Sequence, residues 1–214
     1  MRALLLSLCL AAPAAAQAPP PASGGTVVIN FLGPVTAASA AELARAAQDA
    51  AMAGADTVRV NLYSGGGKIS AARFAVNALA SLPVRIDTVA MSEVASAAVP
   101  IFCMGEARAV APGASLYLHA LTRFAERSPK TAAAHAREDE IVQGWYEQSL
   151  RECLDQPERI GAIEGWAERD RILDREEAYA LGMANRPFAA LRKDPLFGRA
   201  VTVIGAADAL RGTP

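Results

Sequence analysis

Short runs rich in β-branched residues alternate with Ala-rich segments of helical composition through the first half of this chain. Gly or Pro marks most of the boundaries, and the connections are short. Strands and helices in this order predict right-handed βαβ crossovers and a largely parallel sheet. The predicted elements are strands at 26–32, 57–63 and 84–91, and helices at 39–53 and 69–82. The sequence therefore predicts an α/β fold of repeated βαβ units.

The rest of the chain is increasingly charged and helical. A capping-box pattern at Ser39-Ala-Ala-Glu42 is expected to open the first helix, and a long helix is expected at 128–154, with Pro129 tolerated in its first turn. The tail from Pro187 is only weakly patterned. The other predicted elements are a short buried helix at 96–104, strands at 107–111 and 115–119, and helices at 157–170 and 175–181.

The first 25 residues are expected to lie outside the fold. Residues 1–16 combine Arg2, an apolar run and small residues before a cleavage position after Ala16, which is the layout of a secretory signal peptide. The apolar run is about half of the roughly 20 residues that a membrane span needs, so no stable anchor is expected after cleavage. Residues 17–25 form a Pro/Ala/Gly linker. We therefore expect a periplasmic or secreted protein, in which Cys103 and Cys153 could form a disulfide.

Charge and cysteine content disfavour two classes of function. A formal net charge of -1 and a pI near 6.2 leave no excess of basic residues for a phosphate backbone, so nucleic-acid binding is not expected. Three cysteines without a C-x-x-C pair and two histidines do not match a structural zinc site. We expect no metal and no cofactor.

Three candidate segments follow predicted strands at their carboxyl ends, where the sites of parallel sheets gather. They are the loop Ser64–Gly67, the segment Ser92–Ser96, and His119. Ser96 precedes a helix whose first amides, beginning with Ala97, could stabilise an oxyanion, so it is either a nucleophile or simply an N-cap. The glycine loop lacks the Gly-Lys-Ser/Thr order of a phosphate loop but permits close approach to a ligand.

Two further residue types complete the candidate set. His119 ends an apolar strand and could be a general base or a structural histidine, whereas His135 lies in a charged helical context typical of a solvated face. Asp170 could orient an imidazole or belong to a surface ion-pair cluster. The residues alone leave these alternatives open.

Several ordered segments resemble the ClpP-like serine peptidases of the ClpP/crotonase fold, from about Thr26 to Asn185. Y-S-G-G-G at 63–67 is similar to the family's N-S-P-G-G loop, with Gly65 where Pro is usual. S-E-V-A-S-A-A at 92–98 is similar to its G-x-A-A-S-M/A segment, and A-P-G-A-S-L-Y-L-H at 111–119 to its P-N-S-x-x-M-I-H strand. The E-R-D segment that contains Asp170, followed by E-A-Y-A-L-G-M-A-N, resembles the family's ending.

This resemblance implies a ClpP/crotonase-like domain at 26–190 with a protruding long helix, followed by a tail at 191–214. It implies a serine-type endopeptidase that acts on peptides or unfolded segments. Ser96 would attack the carbonyl, His119 would transfer the proton and Asp170 would orient His119. The oxyanion would be held by the Ala97 amide and by Gly66 or Gly67. The long helix resembles the family's assembly element, so a homo-oligomer is expected.

Departures from the family pattern limit what the resemblance implies. A signal peptide and linker replace the N-terminal axial segment found in members that work with an unfoldase ATPase, and an exported protein has no ATP supply. An ATPase partner is therefore not expected. The sequence L-T-R-F-A-E-R-S-P-K after His119 replaces a Gly-rich segment. We therefore do not carry over from the family either its usual substrate groove or its stacked-ring assembly.

Three alternative functions share this fold. A Ser–Lys dyad would use Lys130, although His119 at the expected position favours the triad. A catalytically silent binding or structural protein is favoured by the altered segment after His119 and disfavoured by the complete Ser96, His119 and Asp170 set. Crotonase-type acyl-CoA chemistry is disfavoured because an exported protein would not meet CoA.

Overall fold

The computed structural model describes residues 24–119, 131–163, 170–192 and 201–204. These residues form a mixed α/β architecture around one sheet, as the alternating sequence pattern predicted. The strands are β1 (Thr26–Leu32), β2 (Thr57–Ser64), β3 (Arg85–Ala95), β4 (Ala107–Val110), β5 (Ser115–Leu118), β6 (Arg171–Leu173) and β7 (Val201–Ile204). The α-helices are α1 (Ala37–Met52), α2 (Ile69–Ala80), α3 (Ala98–Cys103), α4 (Ala132–Cys153), α5 (Arg175–Ala180) and α6 (Phe188–Arg192), with a 3₁₀ helix at Pro157–Ile163.

The sheet is parallel except at one edge. Its order is β6-β5-β3-β2-β1-β7, and only the β5–β6 pair is antiparallel within the described residues. Strand β3 is long enough to pair first with β4 and then, beyond a register shift against β2, with β5. The predicted α/β fold with a largely parallel sheet is therefore confirmed.

The main hydrophobic core lies between the sheet and helices α1 to α4. Alternate residues of the strands, such as Ile29 and Phe31 on β1, are fully buried there. Helices α1 and α2 contribute mostly alanines to this core, and small side chains let helices approach a sheet closely. The next residue along a strand faces the other side, where Val89 packs in a small cluster with Ala109 and Leu191.

Several element boundaries differ from the predicted ones. Helix α1 begins at Ala37 because Thr36 and Ser39, not Ser39 and Glu42, form its capping box. The predicted helix at 157–170 is wrong for residues 157–163, which form a 3₁₀ helix, and Asp170 directly precedes strand β6. Residues 164–169 of this prediction lie outside the described residues. Gly161 and Gly165 in this segment lower its helix propensity. Residues 128–130 of the predicted long helix lie outside the described residues.

Part of the weakly patterned tail belongs to the sheet. Strand β7, with the sequence V-T-V-I, pairs in parallel with β1. Its four residues are all β-branched and precede Gly205, a short strand signal that the prediction did not use.

Arg108 connects β4 to the segment around α5 through a buried guanidinium. Its side chain donates hydrogen bonds to four carbonyl oxygens, those of Met183 (2.7 Å), Gly105 (2.8 Å), Cys153 (2.8 Å) and Gly182 (3.2 Å). Burial lowers the pKa of Arg108 from its usual value, whereas the nearby Asp155 carboxylate acts in the opposite direction. A buried cation of this kind is stabilised by the full set of carbonyl acceptors.

Among the described residues, no helix has both the length and the apolar composition that crossing a bilayer requires.

Candidate active site

Ser96 occupies a sharp turn between strand β3 and helix α3. Its φ of 51° makes it the one non-glycine residue with positive φ in the described part of the chain. Its amide donates to the Tyr117 carbonyl (2.9 Å), and its carbonyl accepts from the Val99 amide (2.9 Å). The N-cap of α3 is Ala97, and no side chain caps this helix, so the N-cap interpretation of Ser96 is wrong. A strained, half-buried serine at a strand-to-helix turn typically serves a functional site.

The glycine loop lies directly against this turn. A Cβ placed on Gly66 would lie 2.6 Å from the Ala95 carbonyl oxygen, 2.7 Å from the Ser96 Cβ and 3.1 Å from the Ala97 nitrogen. Gly66 also has φ +93°, a conformation that side chains disfavour. Only glycine therefore fits here, and this absence of a side chain brings the loop backbone to the Ser96–Ala97 peptide.

The two candidate oxyanion glycines have different surroundings. The Gly66 amide donates to the Ser64 hydroxyl at 3.3 Å, a long bond, and the Gly66 carbonyl accepts from the Val35 amide. Gly67 lies beside Val35, with which it forms an isolated parallel bridge. Neither the Gly67 amide nor the Ala97 amide donates a hydrogen bond to another described residue. Gly66 is thus the glycine that the fold brings to Ala97.

His119 follows strand β5, next to the strand that carries Ser96. The register pairs Ala95 with Tyr117, so His119 lies two residues beyond the Ser96 contact and on the same face as Tyr117. The rings of Tyr117 and His119 are 5.3 Å apart between centroids and tilted by 34°. The fold places Ser96 and His119 on neighbouring strands, but no hydrogen bond joins these two described side chains.

Asp170 lies at the start of the antiparallel edge strand. The β5–β6 register pairs Leu118 with Arg171, and its continuation sets Asp170 opposite His119. The Oδ2 atom of Asp170 accepts a 2.6 Å hydrogen bond from the Tyr117 hydroxyl. The pKa of Tyr117 is raised mainly by this hydrogen bond and, to a smaller extent, by burial. Between the described residues Asp170 and His119 themselves there is no hydrogen bond or ion pair.

Tyr117 is a residue of the site that was not among the predicted site residues. Its signal was its position two residues before His119 in S-L-Y-L-H, which sets both rings on one face of a strand. The bond to Asp170 spans 53 positions of sequence and was not predictable from that pattern.

Helix α4 contacts the Ser96 turn through a buried tyrosine. The Tyr146 hydroxyl donates to the Ser96 carbonyl at 3.2 Å, and burial raises the pKa of this fully buried tyrosine. Cys153 at the end of α4 forms a disulfide with Cys103 at the end of α3, with a Cα–Cα distance of 4.8 Å. The long helix therefore contacts both the turn and the helix that follows it.

The other chemically reactive candidates lie elsewhere. His135 is on α4 beside Glu138, with 4.0 Å between Nδ1 and the carboxylate, as expected of a helix surface pair. Lys130, the candidate of the Ser–Lys alternative, lies outside the described residues. Within the described ranges, no group of three or more His, Cys, Asp or Glu side chains could hold a metal ion.

The fold and the site together define a ClpP-like α/β protein, in which a serine on a strand-to-helix turn adjoins a glycine loop and a histidine follows the neighbouring strand. A comparison with family models supports the same class, since the model described as Clp protease matches residues 27–188. The chain therefore belongs to the Clp protease family, and the predicted resemblance is confirmed. No curated protein matches the chain in a sequence search. Family membership makes it a ClpP-like peptidase in the general sense.

Proposed function

We propose that this protein is an exported serine peptidase that hydrolyses peptides or unfolded protein segments through Ser96, His119 and Asp170. The observation that carries the proposal is the Ser96 turn, with its positive φ and with Gly66 packed against the serine. Strain of this kind costs about 1–3 kcal/mol and persists where the surrounding structure requires it. In hydrolases such a turn presents the serine oxygen to a substrate carbonyl.

The proposed reaction is acyl transfer in two halves. The Ser96 hydroxyl attacks the peptide carbonyl while the His119 imidazole accepts its proton, and the protonated imidazole then gives that proton to the leaving amine. Water, deprotonated by the same imidazole, hydrolyses the resulting ester and releases Ser96. Asp170 would keep the His119 ring oriented and stabilise its charged form.

Backbone amides would stabilise the negative oxygen of the tetrahedral intermediate. The Ala97 amide makes no hydrogen bond to another described residue, and Gly66 lies next to it. Among the described residues, the Gly66 amide makes one hydrogen bond, its long bond to Ser64, which a substrate oxygen could replace. We therefore assign the oxyanion contacts to Ala97 and Gly66 in preference to Gly67.

The proposal includes the cellular location of the protein and its partners. The signal-peptide pattern supports a periplasmic or secreted location, although residues 1–23 lie outside the described residues. The Cys103–Cys153 disulfide is typical of such oxidising compartments. No ATP is available there, so we propose activity without an ATPase partner. Helix α4 corresponds to the long helix that resembles the family's assembly element, so we include a homo-oligomer formed through this helix in the proposal.

A catalytically silent binding protein is the second candidate. It is favoured by one observation: the Asp170 carboxylate accepts its hydrogen bond from the Tyr117 hydroxyl. Catalytic hydrogen bonds are often long or misaligned before substrate binds, so this arrangement is also compatible with an active enzyme.

Labelling by a fluorophosphonate probe separates the two candidates. The mature protein from Gln17 would be treated with the probe and its intact mass measured, alongside Ser96→Ala and His119→Ala. Matched controls are Ser92→Ala, an exposed serine on β3, and His135→Ala on the surface of α4. We expect labelling of the wild type and both controls, and none of the Ser96 and His119 variants. A folded wild type that remains unlabelled would favour the silent protein, and loss of labelling in Lys130→Ala alone would favour the Ser–Lys dyad.

A further inference from the structure

Tyr117 contacts both His119 and Asp170, the two residues proposed to assist the nucleophile Ser96. Its hydroxyl donates to Asp170 Oδ2 at 2.6 Å, and its ring lies 5.3 Å from that of His119 between centroids. Its carbonyl also accepts from the Ser96 amide. One residue thus touches the serine backbone, the histidine ring and the carboxylate.

The carboxylate of Asp170 has few contacts that could fix its orientation. Asp170 is an exposed residue directly before the three-residue strand β6, which lies at an edge of the described sheet. The neighbouring Arg171 forms its ion pair with Glu177, at 4.0 Å, and not with Asp170. The Tyr117 hydroxyl is the one hydrogen-bond partner of the Asp170 side chain among the described residues.

We propose that Tyr117 is a positioning residue, which holds Oδ2 of Asp170 so that Oδ1 is left to orient the imidazole of His119. A carboxylate has acceptor sites on both oxygens, so it can serve the phenol and the imidazole at once. A rotating carboxylate would spend only part of its time in the orientation that supports the imidazole. This inference rests on the proposed function, since it concerns the triad that the function requires.

The chemistry of the phenol suits this role. The bond to Asp170 raises the pKa of Tyr117, with burial and the carboxylates of Asp170 and Glu93 acting in the same direction. The hydroxyl therefore remains a neutral donor at neutral pH. A hydrogen bond between a neutral donor and a carboxylate is short and strong, in keeping with the observed distance.

The test compares Tyr117→Phe with wild type, and Tyr179→Phe serves as the matched control. Tyr179 also donates its hydroxyl, to the Arg186 carbonyl at 2.7 Å, but it lies outside the proposed machinery. We expect Tyr117→Phe to lower both the rate of fluorophosphonate labelling and kcat on a peptide substrate by about tenfold. This is the rate ratio that the loss of one typical hydrogen bond in the transition state would produce. KM should stay within about twofold, because the hydroxyl does not hold substrate.

An Asp170→Asn background shows whether Tyr117 acts through the carboxylate. If it does, adding Tyr117→Phe to Asp170→Asn should change the rate by no more than about twofold, since coupled residues are not additive. Tyr117→Phe at the wild-type rate, or the same tenfold loss in the Asp170→Asn background, would overturn the proposal while leaving the peptidase intact. An unlabelled wild type would instead overturn the proposed function, and the role of Tyr117 with it. Thermal unfolding of each variant identifies any that fails to fold, and Tyr117→Met then replaces Tyr117→Phe.

Discussion

The hydroxyl of Tyr146, in the middle of the longest helix, donates a hydrogen bond to the carbonyl oxygen of Ser96 at 3.2 Å. This contact links a fully buried side chain of α4 to the residue with the strained backbone. The disulfide adds a covalent link between α4 and α3, which begins two residues after Ser96. Helix α4 therefore supports the proposed nucleophile through both a hydrogen bond and a covalent link.

Replacing Tyr146 by Phe tests this support. We expect a loss of about 1 kcal/mol in the free energy of unfolding, because the Ser96 carbonyl would lose a buried donor. Fluorophosphonate labelling should slow several-fold as the turn loosens. Urea unfolding and labelling kinetics measure the two effects. The control is Tyr179→Phe, which should lose stability without slowing the reaction, and an unchanged labelling rate in Tyr146→Phe would contradict the prediction.

Replacing Gly66 by Ala should disrupt the contact between the loop and the turn. The new methyl group would lie 2.6 Å from the Ala95 carbonyl oxygen and would force a positive φ on alanine. We expect a loss of about 2–4 kcal/mol in unfolding free energy. Gly65→Ala is the matched control, because a Cβ there would meet no atom within 4 Å. Equal stability of the two variants in denaturant unfolding would show that the loop is not packed as described.

The disulfide makes a prediction about thiols and stability. Cys103 and Cys153 are separated by 50 positions, and a cross-link of that span stabilises a protein by about 2–4 kcal/mol. The mature protein should show no reactive thiol when denatured without reductant and two after reduction. The Cys103→Ser/Cys153→Ser variant should lose this stability and become insensitive to reductant. Free thiols in the untreated mature protein would contradict the disulfide.

Replacing Arg108 by Met should destabilise the fold more than any surface arginine does. Its four carbonyl acceptors would lose their donor, so we expect a loss of about 3 kcal/mol or more in unfolding free energy. Arg137→Met is the control: Arg137 pairs with Glu140 on the exposed face of α4, and its loss should cost no more than about 0.5 kcal/mol. Similar melting temperatures for both variants would refute the structural role of Arg108.

The elements that could be predicted from the sequence are those whose signals are local. Strand β1 has the predicted bounds, and β2, α2 and β4 differ from prediction by one or two residues, because β-branched runs and Ala-rich helical segments carry their own preferences. Predictions from the local sequence were wrong in two places. The glycine-containing segment that begins at Pro157 forms a 3₁₀ helix, and Thr36, not Ser39, is the N-cap of α1. Boundaries depend on which neighbouring group satisfies the terminal amides.

The sequence by itself determined the fold class, the family and the candidate residues Ser96, His119 and Asp170, because strand periodicity and ordered motifs are written along the chain. Only the tertiary structure decided what surrounds them. The pairing of β7 with β1, the bond from Tyr117 to Asp170 and the contact of Tyr146 with Ser96 join residues far apart in sequence. Such contacts depend on strand register, where a shift of one residue would turn each side chain to the opposite face of the sheet, and on how α4 packs against the Ser96 turn.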